Sequence, residues 1–216
     1  MYVPRHFAET DTAVLHRLIR AHPLGAVVTL AGGELVANHI PLLLHDDGSP
    51  FGTLAGHVAR GNSMWKTSDP AFEALVIFQG VERYVSPSWY PSKETDPRTV
   101  PTWNYVVVHA HGPLRIIDDA GWLRRHVAEL TDRHEADRPS PWKVDDAPAD
   151  YVEKLVGGIV GIEIPISRLT GKWKVSQNRS AEDRDGVVRG LREQGDTSSA
   201  AMAAEVELAS RPVEPR

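Results

Sequence analysis

The sequence predicts a mainly β fold with helices, built from antiparallel strands. Short β-branched runs are separated by turns rich in glycine and proline, at the spacing of β-hairpins. Strands and helices do not alternate regularly, and helical patterns are confined to the start, the middle and the end of the chain. Antiparallel hairpins without β-α alternation favour a barrel over a doubly wound sheet.

The first half of the chain contains most of the hairpin signals. Asp11 is placed to cap a helix whose apolar residues recur at helical spacing. A hairpin follows around the turn at 31–33, and a later strand leads into a short helix near residue 62. The predicted strands are 25–30, 34–44, 53–59, and a second hairpin of 73–80 and 82–86.

The second half of the sequence predicts one long strand followed by helices and two further strands. That strand covers 103–117 and is expected to bend at Gly112. A helix capped by Asp118 or Asp119 follows, and seven or eight strands are expected in all. The remaining predicted elements are a short helix near 151–156, strands at 158–166 and 172–177, and helices at 181–194 and 197–209.

Length and composition limit the possible classes of protein. The 216 residues suit a barrel domain at 1–179 with C-terminal helices at 180–216, packed on the barrel or on a dimer partner, and a disordered end. Cysteine is absent, which excludes disulfides and thiolate sites, and the net charge of -5 disfavours nucleic acid. Without a signal peptide or a long apolar run, the chain is expected to be cytoplasmic.

Two aromatic strings near the middle predict a lining for a planar ligand. They are YVSPSWYPSK (84–93) and VPTWNYVVVHAHG (100–112). Their rings are suited to cover a flat molecule, while Asn104 and Ser88 offer hydrogen bonds to its polar edge. The alternative is that these side chains only fill the core of a β domain.

Two basic segments are candidates for holding an anion. Arg60, Gly61 and Asn62 lie where a strand turns into a helix, a place where backbone N–H groups and an arginine can bind a phosphate. The segment GKWKVSQNR (171–179) gathers three cations and several hydrogen-bond donors in an acidic chain. The alternatives are a simple helix cap for the first and a solvated edge strand for the second.

The histidines and serines assign no catalytic residue and no metal. His109 and His111 lie two apart on a predicted strand and therefore share a face, as a pair of metal ligands would. Strand histidines more often satisfy ordinary hydrogen bonds, however, and no carboxylate has a matching spacing. The chain has no Gly-x-Ser-x-Gly elbow.

Taken together in order, the motifs resemble one family. NHIPLLL, GHVARGN, VIFQGVERYVSPSWY, VPTWNYVVVHAHG, GIVGIEI and GKWKVSQNR are similar to the PaiB family of FMN-binding negative transcriptional regulators, from Met1 to about Leu191. The resemblance implies a split β-barrel related to the pyridoxamine-phosphate-oxidase-like flavoproteins. It also implies a homodimer with FMN between the subunits.

The same resemblance implies the residues that contact FMN. Arg60, Gly61 and Asn62 are expected at the phosphate, and the basic segment is expected to add polar contacts. The full predicted set is Asn38, His39, His57, Arg60, Gly61, Asn62, Trp103, Asn104, Lys172, Lys174, Gln177, Asn178 and Arg179.

Four functions stay open on the sequence. The first is a flavin-binding regulator of the PaiB type. The second is an FMN-dependent oxidoreductase, since flavin itself performs the redox step. The third is a haem-binding barrel that uses His57 or His109 as ligand. The fourth is direct binding of promoter DNA, which the acidic C-terminal helices disfavour.

Overall fold

The computed structural model describes residues 1–210, so the disorder predicted for the end of the chain falls mostly outside the described residues. The described chain forms two compact units. Unit 1 contains residues 1–18, 79–108 and 170 onward, and unit 2 contains residues 19–78 and 109–169. The predicted boundary at 179/180 lies within unit 1.

Within residues 1–210, ten strands and six α-helices follow one another, with short 3₁₀ helices between some of them. The strands are β1 Ala8–Glu9, β2 Leu24–Ala31, β3 Glu34–Pro41, β4 Leu43–His45, β5 Thr53–Ala59, β6 Ala74–Val85, β7 Thr102–Gly112, β8 Arg115–Ile117, β9 Ile159–Pro165 and β10 Arg168–Lys174. The helices are α1 Thr12–Ala21, α2 Met64–Thr67, α3 Ala120–Glu135, α4 Ala149–Val156, α5 Ala181–Glu193 and α6 Thr197–Ser210.

The predicted antiparallel, mainly β class with helices is confirmed, with several corrections to the strands. Ten strands rather than seven or eight occur among residues 1–210, and the predicted strand 34–44 divides at Leu42 into β3 and β4, which belong to different sheets. The second hairpin is wrong: β6 runs unbroken through Gly80, which does not adopt the positive φ that a tight hairpin turn requires. The long strand 103–117 is also wrong, because it divides at Pro113 into β7 and β8. Proline has no N–H to donate to a sheet.

Unit 2 is built from two antiparallel arrangements of strands. β2 pairs with β3 and with the first part of β6, while β4, β5, β9 and β8 form a sheet in that order. Their alternating side chains bury a core that includes Val27, Leu54, Phe78 and Ile162. Helix α3 packs so closely on this sheet that a Cβ on Gly161 would lie 2.4 Å from the Trp122 ring.

Unit 1 combines strands with the C-terminal helical hairpin. Its strands follow the order β1-β10-β7-β6. Helix α5 begins at Ser180, whose side chain accepts a hydrogen bond from the Asp183 N–H, and α6 follows the turn at Gly195 (φ 72°). These are the two helices and the break that the sequence predicts, and a left-handed glycine is the usual residue for such a break.

The loop between β6 and β7 is pressed against α5. It contains two 3₁₀ helices, Pro87–Trp89 and Pro91–Glu94. A Cβ on Gly186 would lie 2.0 Å from the Trp89 carbonyl oxygen, and one on Gly190 would lie 2.3 Å from the Trp89 ring. Only glycine at these two helical positions allows the loop to approach so closely.

Gly186→Ala is therefore expected to lower the free energy of unfolding by about 1–3 kcal/mol, the usual cost of overpacking. Urea denaturation measures it. Gly157→Ala is the control, because the added Cβ meets atoms only at 3.5 Å, an ordinary contact. Equal stability of the two variants would contradict this packing.

Candidate functional site

The candidate site is a small cavity of about 110 Å³ in unit 1. Three segments form it: the residue between the two 3₁₀ helices, the start of β7, and the end of β10 with the turn that follows. Its lining residues are Tyr90, Val100, Pro101, Thr102, Asn104, Lys174, Ser176, Asn178 and Arg179. This volume accommodates a group of the size of a phosphate but not a three-ring system.

Positive charge in this pocket has no acidic partner. Within residues 1–210, neither Lys174 nor Arg179 forms an ion pair, although seven such pairs occur elsewhere. Burial lowers the pKa of Lys174, and the nearby charges of Lys172 and Arg179 lower it further. A cluster of cations that repel one another in a partly buried place is stabilised by a bound anion.

Lys174 is held at the edge of the pocket by two oxygens. Its ammonium donates to the Thr102 hydroxyl and to the Trp103 carbonyl. Lys172 does not line the pocket: its ammonium donates to the Tyr2 carbonyl (3.2 Å) and lies 5.2 Å from the centroid of the Tyr105 ring. Lys172 therefore acts on the pocket through its charge.

The floor of the pocket contains the one non-glycine residue among 1–210 with a positive φ. Ser176 has φ 68° and is 4 % exposed. Asn104, which is also buried, donates from Nδ2 to the Ser176 hydroxyl (2.9 Å). Serine rarely adopts this left-handed conformation, and such backbone strain is concentrated at functional sites.

A tyrosine and an arginine close the pocket on another side. The Arg179 guanidinium carbon lies 4.5 Å from the centroid of the Tyr90 ring, a cation–π contact. Tyr90 is 2 % exposed, and its hydroxyl proton has no hydrogen-bond acceptor among the described residues. A buried hydroxyl without a partner costs free energy, so a polar ligand is expected beside it.

Two other residues predicted in this unit lie outside the pocket. Both ends of the Gln177 amide bind the main chain, since Oε1 accepts from the Val175 N–H (2.8 Å) and Nε2 donates to the Trp173 carbonyl (2.6 Å). Gln177 thus shapes the turn. The Trp103 ring is 53 % exposed and packs edge-on against Tyr84, with centroids 6.1 Å apart. Since side chains alternate along a strand, Trp103 and Asn104 point to opposite faces of β7.

The other predicted set lies in unit 2, and its arginine is already engaged. Arg60 pairs with both carboxylate oxygens of Asp118 (2.6 and 3.1 Å). It also donates to the carbonyls of Gly157 (2.9 Å) and Ile159 (3.1 Å). Four of its five N–H groups are thereby used. The predicted phosphate contact of Arg60 stays a prediction that requires Asp118 to share this guanidinium.

The remaining residues predicted in unit 2 make local contacts. Asn62 donates from Nδ2 to the side-chain oxygen Oδ1 of Asn38 (2.8 Å), and its own Oδ1 accepts from the Met64 N–H at the start of α2. His39 is on the edge strand β3, and His57 is on β5, where its buried Nδ1 has no hydrogen-bond partner among the described residues. A Cβ added to Gly61 would meet no atom within 4 Å.

Four of the nine lining residues belong to the set predicted from the sequence, and the others do not. Tyr90 falls within the string YVSPSWYPSK and Ser176 within GKWKVSQNR, but the sequence predicts no ligand contact for either. Proline on both sides of the SWY triplet was the available signal that Tyr90 is held in a turn. The suggested ligand contact of Ser88 is not supported by its place, because its hydroxyl bonds that of Ser86 (2.7 Å).

Comparison with known proteins assigns the chain to a family. Residues 1–168 match the family described as "Putative FMN-binding domain". An uncharacterized protein of Emericella nidulans is 37% identical, covering 94% of this chain and 95% of that protein. "Protease synthase and sporulation protein PAI 2" of Bacillus subtilis is 31% identical, also covering 94% of this chain and 95% of that protein.

Solved structures support the same architecture at low identity. The flavocytochrome Anf3 of Azotobacter vinelandii aligns with a TM-score of 0.59 and 13% identity, covering 80% of this chain and 72% of that one. The "FAD and Heme binding protein" of Mycobacterium smegmatis aligns with a TM-score of 0.56 and 18% identity, covering 77% and 73%. At such identities the likeness concerns the fold.

Fold and family together define an FMN-binding split-barrel protein. The chain belongs to the PaiB family, as its motifs predict. No helix within residues 1–210 is long and apolar enough to cross a membrane. The cytoplasmic location stays a prediction.

Proposed function

We propose that the cavity in unit 1 binds the phosphate of FMN, and that holding this cofactor is the central task of the chain. The observation that supports this most directly is the uncompensated positive charge of Lys174 and Arg179 at a cavity of about 110 Å³. A phosphate monoester is a small dianion with three acceptor oxygens, which suits two cations and several hydroxyl or amide donors. Bound flavin would supply redox chemistry.

Within this proposal the residues of unit 1 have separate tasks. Lys174 and Arg179 neutralise the phosphate, and Asn104 and Asn178 offer side-chain amides to its oxygens. Gln177 and the strained Ser176 fix the turn that presents them. The phosphate contact predicted for Arg60, Gly61 and Asn62 is the alternative to this pocket. The roles predicted for Asn38, His39, His57 and Trp103 stay predictions.

The test is a titration of the purified protein with FMN, followed by flavin fluorescence, with riboflavin in parallel. Riboflavin lacks only the phosphate. Saturation at about one FMN per chain, with much weaker riboflavin binding, supports the proposal. Equal affinity for the two flavins would contradict the phosphate pocket, and failure of both to bind would contradict flavin binding itself.

We also propose that the protein acts as a homodimer, with the edge of β3 in the interface. β3 ends the strand order of its sheet, and its Leu35 and Val36 are 78% and 38% exposed. An exposed apolar edge strand offers unpaired backbone groups to another chain.

Leu35→Glu is expected to convert the dimer to a monomer, because a carboxylate on this edge opposes strand pairing. Light scattering coupled to size-exclusion chromatography measures the mass. Leu155→Glu on α4 is the matched control, since Leu155 is also exposed, at 53%. A wild-type monomer would contradict the homodimer, and a dimeric Leu35→Glu variant would contradict this interface.

The regulatory role of the PaiB type is proposed to act through protein contacts rather than through DNA. From 181 to 210 the C-terminal helices carry seven acidic residues and three arginines, a balance that phosphate backbones repel. Gel-shift experiments with promoter DNA test this point. Specific binding that weakens with added salt would show direct DNA recognition and contradict the proposal.

A further inference from the structure

The Tyr90 hydroxyl lies at the pocket without an acceptor for its proton. Tyr90 is 2 % exposed, and no acceptor among the described residues takes a hydrogen bond from this hydroxyl. Burial and the charge of Asp183 raise the pKa of Tyr90, whereas the charge of Arg179 and its polar contact with the hydroxyl lower it. Because a guanidinium only donates, the contact with Arg179 leaves the hydroxyl proton unused. It is therefore a buried donor that lacks an acceptor, at the edge of a cationic pocket.

The residues on either side of Tyr90 in the loop are both anchored to α5. On one side the Trp89 carbonyl and ring press against the glycines of α5. On the other side the Asp183 carboxylate accepts from both the N–H (3.1 Å) and the hydroxyl (2.8 Å) of Ser92. Asp183 is 4 % exposed, so this link is sheltered from water. A buried side chain fixed between two anchors has little entropy left to lose when it binds a ligand.

We propose that Tyr90 is a specificity-determining residue that donates a hydrogen bond to a phosphate monoester in the pocket, and that Asp183 positions it through Ser92. The inference rests on the proposed phosphate pocket and adds a ligand contact outside the set predicted from the sequence. It makes the protein select flavins that carry a phosphate from those that carry only a hydroxyl.

The decisive variant is Tyr90→Phe, which removes one oxygen and keeps the ring beneath Arg179. FMN affinity is expected to fall roughly tenfold or more, as for loss of a hydrogen bond to a charged group. Riboflavin affinity is expected to change less than about twofold, since riboflavin offers no phosphate oxygen. Tyr84→Phe is the matched control, because Tyr84 is 46% exposed and lies outside the pocket.

Asp183→Asn tests the positioning role, with Asp185→Asn on the exposed side of the same helix as control. Asp183→Asn alone is expected to lower FMN affinity. Added to Tyr90→Phe, it is expected to lower the affinity little further, because both substitutions act through the same hydroxyl. A merely structural role would weaken riboflavin and FMN alike.

The outcomes separate the inference from the proposed function. If Tyr90→Phe leaves the ratio of FMN to riboflavin affinity unchanged while variants of Lys174 or Arg179 reduce it, the pocket stands and the role of Tyr90 is overturned. If the wild type itself does not bind FMN more tightly than riboflavin, the proposed phosphate pocket is contradicted, and the role of Tyr90 with it. A selective loss of FMN affinity in Tyr90→Phe supports both.

Discussion

Replacing Lys174 and Arg179 together with methionine is expected to weaken FMN binding roughly a hundredfold or more. Each charge-assisted hydrogen bond to a phosphate contributes about 1.5–3 kcal/mol, and every 1.4 kcal/mol is tenfold in affinity. Both side chains lie at the cavity and neither has an acidic partner within residues 1–210. Removing them therefore leaves no carboxylate without its cation, and the expected loss of affinity comes from the missing contacts with the ligand.

Fluorescence titrations with FMN and riboflavin measure this effect. Riboflavin binding monitors the integrity of the fold, because Lys174 also donates to Thr102 and to the Trp103 carbonyl. Lys93→Met with Arg189→Met is the matched control, since both residues are exposed and outside the pocket. Unchanged FMN affinity in the double variant would place the phosphate elsewhere.

Acidification from pH 7.5 to pH 5 is expected to destabilise the protein through His126. This residue is 3 % exposed in unit 2, stacks on Trp122 at 5.0 Å and meets His57 at 5.3 Å. Neither of its ring nitrogens has a hydrogen-bond partner among the described residues. Burial lowers the pKa of His126 to about 4, and the nearby His57 and His45 contribute in the same direction.

The direction in which stability changes with pH follows from the pKa of His126 in the unfolded and in the folded protein. The unfolded histidine takes up its proton near pH 6.5, whereas the folded one does so only near the lowered pKa of about 4. The free energy of unfolding therefore keeps its full value above about pH 6.5 and decreases as the pH falls toward 4. The loss is about 2 kcal/mol at pH 5 and about 3 kcal/mol below pH 4, from 1.36 kcal/mol per unit.

Urea denaturation at several pH values measures this profile. His126→Leu is expected to flatten most of it, because an apolar side chain of similar size neither titrates nor leaves a polar atom unpaired. A residual slope is expected from His57, whose pKa burial also lowers. His134→Leu on the exposed side of α3 is the control. A wild-type profile that stays flat down to pH 5 would contradict the neutral, buried His126.

Local patterns predicted most of the elements, and the errors have physical causes. Asp119 was expected to cap a helix, and its carboxylate accepts from the Trp122 N–H at the start of α3. Gly195 was expected to separate the last two helices and has the positive φ that does so. Gly80 was misjudged because glycine fits an extended strand as well as a turn, and only the neighbouring strands decide between them.

The candidate site was predictable in its chemistry but not in its geometry. The cations of GKWKVSQNR were conspicuous in an acidic chain. Nothing local showed that Tyr90, far along the sequence, would be buried beneath Arg179, since that contact depends on how the loop packs against α5. Likewise the local sequence favours Arg60 as an anion-binding residue, and only the fold shows that Asp118 already pairs with it.

A crystal structure of the protein with FMN bound would locate the phosphate itself. We expect the phosphate in the unit 1 cavity, within hydrogen-bonding distance of Lys174 Nζ, the Arg179 guanidinium and the Tyr90 hydroxyl. FMN bound with its phosphate at Arg60, Gly61 and Asn62, and with the cavity empty, would contradict it.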